Sequence, residues 1–178
     1  MDLIGALLDL CKTVDRPIIA IDGPAGAGKT TLASNLQLVL YPQHTARVIH
    51  MDDLYDGWDN ALTEHLSDVL ISITTSHRAG KEISYSPYDW LQRSFLPPQT
   101  FPSTDILILE GVGSGQRAIR NSLTALIWME IDIASGFERV VQRDGELIKD
   151  EMKKWLRTQE QHFSVEGTDK AADFVLTT

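Results

Sequence analysis

The chain has 178 residues, of which 43% are hydrophobic and 23% are charged, and these values are ordinary for one globular domain with a sizeable core. Its formal net charge is −9 without a basic stripe, which argues against a nucleic-acid-binding protein. The single cysteine, Cys11, excludes an intrachain disulfide, no apolar run is long enough for a membrane helix, and the first residues lack a basic signal-peptide flank. We therefore expect one cytoplasmic domain over residues 1–178, with neither a nucleic-acid nor a membrane partner.

Hydrophobic runs alternate with helical periodicities along the whole chain. This order predicts an α/β fold in which a parallel sheet carries helices on both faces. After an amphipathic lead-in over residues 3–11, five strands are predicted, at 17–21, 47–51, 105–109, 125–131 and 173–176.

Apolar residues at helical spacing fill the segments between these strands. They predict helices that contain residues 32–40, 62–73 and 148–156. Ser135 and Glu138 form a predicted capping box for one more helix, after the fourth strand. The proline-containing stretch 87–102 is predicted to be an irregular excursion on the substrate side.

A glycine-rich turn follows the first predicted strand and satisfies the G-x-x-x-x-G-K-[ST] pattern. Its residues are Gly23, Pro24, Ala25, Gly26, Ala27, Gly28, Lys29 and Thr30. Glycines let backbone N–H groups curl around phosphate oxygens, and the following helix points its positive end at them. Lys29 adds a charge for the β- and γ-phosphates, and Thr30 adds a hydroxyl for Mg²⁺. We therefore predict a P-loop NTPase fold in which these residues, together with Thr31, bind nucleotide phosphates.

The phosphate loop alone does not distinguish an ATPase, a GTPase and a kinase. A GTPase would be expected to carry an N-K-x-D guanine-binding motif, and no such tetrapeptide occurs in the chain. The sequence therefore favours ATP as the nucleotide.

Acidic residues close three predicted strands, at the edge of the sheet where ligands bind in open α/β folds. Asp22 closes the first strand, Asp52 and Asp53 close the second, and Glu110 closes the third. Glu110 ends an apolar run like that of a Walker B element, so it is predicted to hold magnesium with Thr30. Asp52 is predicted to accept or orient the proton of an attacking hydroxyl, and Asp53 is its rival for that role.

Four segments occur in an order that points to one family. They are the phosphate loop at 23–30, Met51-Asp52-Asp53-Leu54-Tyr55, Pro87-Tyr88-Asp89-Trp90 and Leu109-Glu110-Gly111. The last three are similar to the Q-D-S-F-Y, P-x-Y-D-F and E-G segments of the uridine kinase and phosphoribulokinase group of P-loop kinases. The resemblance covers roughly residues 17–145 and implies a kinase that transfers the γ-phosphoryl group of ATP to the hydroxyl of a small molecule.

The resemblance also implies roles for individual residues. Asp52 would be the base, Thr30 and Glu110 would surround magnesium, and Tyr88 would lie in the acceptor pocket. A lid over about 134–163 would carry two catalytic arginines, Arg139 and Arg143, whose spacing of four places both on one helical face.

Aromatic residues cluster in the segments expected to overhang the sheet. Tyr55, Trp58, Tyr85, Tyr88 and Trp90 are predicted to pack in the core or to stack on a flat or sugar-like acceptor. Tyr55 and Trp90 are therefore assigned to substrate binding with Asp53 and Asp59, of which Asp59 would contact sugar hydroxyls or cap a helix. The five histidines lack metal-ligand spacing and are expected at the surface or in the core.

The sequence departs from the uridine kinase pattern at two places. Arg93 stands where that family carries a histidine, and the segment after the second strand is shortened to Trp58-Asp59-Asn60-Ala61. A nucleoside is the leading acceptor class, and Arg93, if it is not a solvated loop residue, favours an anionic metabolite such as a sugar phosphate or hydroxy acid. A non-catalytic nucleotide sensor or slow ATPase is the alternative from another class.

Overall fold

The computed structural model describes residues 3–178, which form nine strands and seven α-helices. The strands are β1 (Ile18–Asp22), β2 (Ala46–His50), β3 (Ile83–Tyr85), β4 (Tyr88–Asp89), β5 (Ser94–Phe95), β6 (Gln99–Phe101), β7 (Ile106–Glu110), β8 (Ala125–Glu130) and β9 (Phe174–Thr177). The helices are α1 (Leu3–Cys11), α2 (Lys29–Leu40), α3 (Glu64–Arg78), α4 (Arg117–Arg120), α5 (Ile133–Asp144), α6 (Lys149–Glu166) and α7 (Thr168–Ala171). Two 3₁₀ turns, Met51–Asp53 and Glu146–Ile148, follow β2 and precede α6.

Five strands form one parallel sheet in the order β2-β7-β1-β8-β9. The central strand β1 and its neighbour β7 are buried at every position, as expected for parallel strands covered on both faces. The predicted α/β P-loop fold with five parallel strands is confirmed.

Two hydrophobic clusters cover the faces of this sheet. Leu7 of α1 and Leu36 of α2 belong to the cluster on one face, whereas Leu70 of α3 and Trp155 of α6 belong to the cluster on the other. No helix among residues 3–178 is long and apolar enough to cross a membrane.

The proline-containing stretch is more regular than the sequence predicted. Strands β3 and β6 pair antiparallel, and β4 and β5 form a second antiparallel hairpin in which Tyr88 lies opposite Phe95. Strands of two or three residues are too short to show an alternating pattern, which explains why the prediction of an irregular excursion was wrong here.

The start of α5 also differs from the prediction. Its N-cap is Asp132, whose carboxylate accepts hydrogen bonds from the backbone N–H of Ser135 at 3.0 Å and from its hydroxyl at 3.1 Å. The capping box predicted at Ser135 and Glu138 is therefore wrong, because an aspartate three residues earlier caps the helix first.

The register of the sheet sets the position of the polar strand ends. His50, the last residue of β2, lies opposite Glu110, the last residue of β7, and Ile21 lies beside Glu110 on the other side. The acidic and basic groups that follow β1, β2 and β7 are therefore collected at one edge of the sheet.

The buried His77 of α3 gives the fold a testable dependence on pH. Its Nε2 lies 3.2 Å from the backbone oxygen of Pro17, and burial lowers its pKa below the ordinary 6.5. A histidine with a lowered pKa in the folded state stabilises the protein fully above pH 6.5 and loses that contribution as the pH falls below this value.

We expect His77→Gln, which keeps a side-chain donor for Pro17 but does not titrate, to lose less stability than the parent between about pH 7.5 and about pH 5.5. Urea unfolding at the two pH values measures the difference. The exposed His65 provides the matched control, His65→Gln, which should keep the parent dependence. Equal losses in the parent and in His77→Gln would contradict the prediction.

Candidate active site

A cavity of about 440 Å³ opens beyond the carboxyl ends of β1, β2 and β7. The phosphate loop and the start of α2 line one side, and the Met51–Asp53 turn and the β4–β5 hairpin contribute to another. Helices α5 and α6 complete the wall. The cavity lies at the edge of the sheet where open α/β folds bind ligands. Its volume is within the range of small-molecule sites.

The phosphate loop approaches neighbouring backbone too closely to carry side chains at two positions. Gly26 has φ +81°, and a Cβ atom there would lie 2.3 Å from the carbonyl oxygen of Gly136 in α5. Gly23 has φ +136°, and its Cβ would lie 2.2 Å from the carbonyl oxygen of Met129. Only glycine fits both the left-handed conformation and these contacts.

Six of the nine residues assigned to phosphate binding line the cavity. These are Ala25, Gly26, Gly28, Lys29, Thr30 and Thr31. Of the remaining three, Ala27 is buried, whereas Gly23 and Pro24 turn their carbonyl oxygens toward Lys29. Gly28 forms the N-cap of α2 without a side-chain hydrogen bond, which leaves the first N–H groups of this helix suited to an anion.

Lys29 is the cation at the floor of the cavity. Its Nζ donates hydrogen bonds of 2.7 Å to the carbonyl oxygens of Gly23 and Pro24. Burial lowers the pKa of this ammonium, and the negative charges of Asp22, Glu110 and Asp52 oppose that effect. A buried ammonium beside the loop can neutralise phosphate oxygens.

Glu110 joins the sheet to the phosphate loop. The carboxylate is buried, and its Oε1 accepts a hydrogen bond of 3.1 Å from the Thr30 hydroxyl. His50 Nδ1 lies within hydrogen-bonding distance of the same oxygen, and this bond is the main reason why the pKa of His50 is raised. Two oxygen atoms that could bind a metal ion, from Thr30 and Glu110, therefore lie side by side.

The Thr30 and Glu110 oxygens are candidate ligands for Mg²⁺. No group of three or more His, Cys, Asp or Glu side chains within residues 3–178 could hold a metal ion by itself. Mg²⁺ is usually held by one or two protein oxygens together with substrate phosphates and water. Thr30 and Glu110 fit this mode of coordination, and both were predicted from the sequence to bind the metal.

The two aspartates that compete for the role of base differ in their surroundings. Asp52 lines the cavity, whereas Asp53 does not. Enclosure by protein groups, together with the negative charge of Glu110, raises the pKa of the Asp52 carboxyl. Burial also raises the pKa of Asp53, which His50 opposes. The geometry favours Asp52 as the carboxylate that meets a ligand.

Asp22, the third acid predicted at a strand end, is absent from the cavity lining that residues 3–178 provide. It is completely buried, and its carboxylate accepts backbone hydrogen bonds from Gly23 at 2.7 Å, Gly113 at 3.1 Å and Gly115 at 2.9 Å. Asp22 therefore has a structural role, because it holds the start of the phosphate loop against the loop that follows β7.

Two arginines of α5 lie at the rim of the cavity. Arg139 donates a hydrogen bond of 3.4 Å to the carbonyl oxygen of Gly26. Arg143 forms a bidentate pair with Asp144, with both contacts at 2.7 Å, and Asp52 and Glu110 attract its charge. Both guanidinium groups are exposed, so they can turn toward a ligand beside the phosphate loop.

Four aromatic side chains line the cavity, and we call this group the aromatic wall: Tyr55, Trp58, Trp90 and Trp155. The ring centroids of Trp58 lie 5.2 Å from Trp90 and 5.8 Å from Trp155. Trp90 Nε1 donates a hydrogen bond of 2.9 Å to the backbone oxygen of Asp52, which fixes this part of the aromatic wall beside the candidate base.

Four residues assigned to substrate binding lie outside the cavity lining: Asp53, Tyr88, Asp59 and Arg93. Tyr88 packs against Trp90 and Phe95, with centroid distances of 5.1 and 5.2 Å, and supports the aromatic wall from behind. Asp59 is exposed in a turn well before α3 begins. Arg93 is exposed at the tip of the β4–β5 hairpin, with φ 54°. This placement does not support contact between Arg93 and an acceptor.

The sequence patterns do not identify several residues of the site. They place His50 at the surface or in the core, although its position at the end of β2 is a signal for a site residue. Met152 and Trp155 line the cavity from α6, and the buried Gln159 reaches the phosphate loop, where its Oε1 accepts a hydrogen bond of 3.1 Å from the N–H of Ala25. Helical periodicity alone cannot separate a core position from a cavity wall.

No protein-family model matches this chain, and no curated protein sequence matches it at a significant level. Solved structures do match. A possible uridine kinase from Bacillus stearothermophilus aligns with a TM-score of 0.67 at 20% identity, over 99% of this chain and 100% of that one. A candidate fructose transport system kinase from Silicibacter sp. TM1040 aligns with a TM-score of 0.68 at 19% identity, over 98% of both chains.

A more distant neighbour is D-glycerate 3-kinase from Cryptococcus neoformans, with a TM-score of 0.55 at 12% identity, over 79% of this chain and 75% of that one. The fold is therefore that of the P-loop kinases, as the sequence motifs predicted. At these identities the likeness concerns the fold.

The position of Glu110 leads to a prediction about magnesium. Glu110→Gln replaces a carboxylate by a neutral amide, which is a poorer ligand for this hard cation. We expect the Mg²⁺ concentration that gives half-maximal binding of ADP to rise roughly tenfold or more, with little change in ADP binding without Mg²⁺. Calorimetric titration of ADP at several Mg²⁺ concentrations measures both. Glu138→Gln, at an exposed position of α5, is the control, and identical magnesium curves for Glu110→Gln and the parent would contradict the metal assignment.

Proposed function

We propose that this protein is an ATP-dependent small-molecule kinase that transfers the γ-phosphoryl group to an acceptor hydroxyl, with a nucleoside as the leading acceptor class. The observation that carries the proposal is that one cavity is lined both by phosphate-binding groups and by aromatic rings. The phosphate loop, Lys29 and two arginines line it together with Asp52 and the aromatic wall. A nucleotide-hydrolysing switch would not need the aromatic wall.

The cations of the cavity are suited to the phosphates. Lys29 and the N–H groups at the start of α2 would hold the β- and γ-phosphates, and Arg139 and Arg143 would neutralise the group in transfer. Thr30 and Glu110 would hold Mg²⁺, which bridges phosphate oxygens and offsets their charge when it is bound. We propose residues 134–163, which include nearly all of α5 and most of α6, as the lid over the phosphate-binding part of the cavity.

Asp52 would act on the acceptor. Its carboxylate takes the proton of the acceptor hydroxyl while the acceptor oxygen bonds to the γ-phosphorus and the bond from that phosphorus to the β–γ bridging oxygen breaks. ADP then leaves with that oxygen. Because phosphoryl transfer depends mainly on positioning, a carboxylate held in place is sufficient. The bond from Trp90 to the Asp52 backbone supports this positioning.

The character of the aromatic wall favours a ring-bearing, uncharged acceptor over an anion. Among residues 3–178, the cationic side chains that line the cavity are Lys29, Arg139 and Arg143, and all of them are needed for the phosphates. Tryptophan rings offer flat apolar surface to a base or sugar, whereas the carboxylates of Asp52 and Glu110 would repel an anionic acceptor. A phosphorylated or carboxylated metabolite is therefore the second choice.

The structural neighbours support a kinase with an alcohol as acceptor, since their names refer to uridine, fructose and D-glycerate, all of which carry hydroxyl groups. The test is release of ADP from ATP and Mg²⁺ in the presence of nucleosides, sugars, sugar phosphates and hydroxy acids, each compared with a reaction without acceptor. Stimulation by a neutral acceptor, with formation of its phosphate ester, would support the proposal. Slow hydrolysis that no acceptor stimulates would favour the sensor or slow ATPase.

Asp52→Asn tests the assignment of the base. The amide keeps the size of the side chain but cannot accept the proton, so we expect turnover to fall on the order of 10² to 10⁴ while ATP affinity is retained. Steady-state kinetics and ATP binding measure the two effects. Asp53→Asn is the matched control and should stay near the parent rate. The reverse pattern would move the role of base to Asp53.

The acceptor side of the cavity gives a second comparison. Trp90→Ala removes a wall of the cavity and the bond to Asp52, and we expect it to raise the acceptor KM roughly tenfold or more. Arg93→His lies at the exposed hairpin tip and should change the relative use of neutral and anionic acceptors by less than about twofold. Both variants would be assayed with the best neutral and the best anionic acceptor from the panel. A large change in acceptor preference in Arg93→His would contradict this prediction and would show that Arg93 takes part in acceptor binding.

A further inference from the structure

Helix α6 presents one continuous face from the cavity to the base of the phosphate loop. Met152, Trp155, Gln159 and His162 follow one another at intervals of three and four residues, so they lie on the same side of the helix. Met152 and Trp155 line the cavity. The ring of Trp155 also packs at 5.3 Å from Tyr55, which makes it part of the aromatic wall.

One helical turn further on, Gln159 contacts the phosphate loop. Its side chain is only 3% exposed, and its Oε1 accepts the 3.1 Å hydrogen bond from the N–H of Ala25. Ala25 lines the cavity beside Gly26. Leaving a buried N–H or amide oxygen without a partner is unfavourable, so this bond holds the helix and the loop at a fixed separation.

The same face ends near the buried Asp22. His162 Nε2 is buried, has no hydrogen-bond partner among residues 3–178, and lies 3.4 Å from the position that a Cβ atom on Gly113 would take. Gly113 in turn donates its N–H to Asp22. The helix therefore runs from the cavity past the phosphate loop to the loop that follows β7, with Gln159 as the residue that bonds to the phosphate loop.

Resting on the proposed function, we propose that Gln159 is a positioning residue that couples the phosphate loop to the aromatic wall, so that nucleotide and acceptor each strengthen the binding of the other. A nucleotide that orders the loop around its phosphates also fixes Ala25. Through its bond to Ala25, Gln159 restricts the motion of α6, and with it that of Trp155 and Met152. Coupling of two binding sites is reciprocal. An acceptor held by Trp155 would therefore stabilise the loop in its nucleotide-binding form.

MgADP is the probe, because it needs no acceptor. Hydrogen–deuterium exchange of peptides from α6, over residues 149–163, would be followed with and without MgADP in the parent, Gln159→Met, Gln159→Asn and the control Gln161→Met. Methionine keeps the length of glutamine without an oxygen acceptor, and asparagine keeps the amide but is too short to reach Ala25. Gln161 is exposed on the same helix. Thermal unfolding checks that each variant is folded.

We expect MgADP to slow exchange in α6 about twofold or more in the parent and in Gln161→Met. Both Gln159 variants should lose this response and bind MgADP roughly two- to tenfold more weakly, the range for one lost hydrogen bond. Preserved slowing in folded Gln159 variants overturns the proposal, as does a failure of both variants to fold, because Gln159 is then only structural. MgADP binding without any response of α6 in the parent overturns the coupling and leaves the kinase proposal standing, whereas no binding of MgADP overturns both.

Discussion

The Asp22 carboxylate is the constraint on which the site depends. It ends the central strand β1 and accepts backbone N–H groups from Gly23, at the start of the phosphate loop, and from Gly113 and Gly115, after β7. Burial raises the pKa of this carboxyl, and the N–H groups of Gly115 and Gly23, with the charge of Lys29, oppose that rise. Three donors in fixed positions make a buried charge tolerable. The two loops that border the cavity are thus held in place by one side chain.

The cavity combines charged groups with aromatic rings, and this combination organises the proposed chemistry. Lys29, Arg139 and Arg143 line it together with the phosphate loop, and the aromatic wall offers rings. The carboxylates of Asp52, Glu110 and Asp144 also line the cavity, so its three cations are matched by three acids. Phosphates would be held by the N–H groups of the loop and by Lys29, and a neutral ring would find apolar surface on the aromatic wall.

The sequence predicted the fold, and most of the residues that it assigned to phosphate binding lie together at the cavity, because both features rest on local patterns. The Ile-rich run before Gly23, the glycine spacing up to Lys29 and the apolar run before Glu110 each belong to one short segment. The acceptor side could not be predicted in this way. Trp155 and Gln159 reach the site only because α6 packs back across the sheet. The turn between β4 and β5 brings Trp90 to the cavity but leaves Arg93 exposed outside it. Even the start of α5 depended on two competing caps, Asp132 and Ser135, of which the earlier one caps the helix.

The close contact between α5 and the phosphate loop has a consequence for sequence variation. A Cβ atom on Gly26 would meet the Gly136 oxygen at 2.3 Å, and a Cβ on Gly136 would meet the Ala25 oxygen at 2.6 Å. At each position the backbone of the other segment leaves no room for a Cβ atom, and a backbone cannot rotate away as a side chain could. A compensating pair of substitutions is therefore not available, since enlarging either residue pushes the same two backbones apart. Related chains that keep this junction should carry glycine at both positions, and a chain that changes one of them must have rebuilt the approach of α5 as a whole.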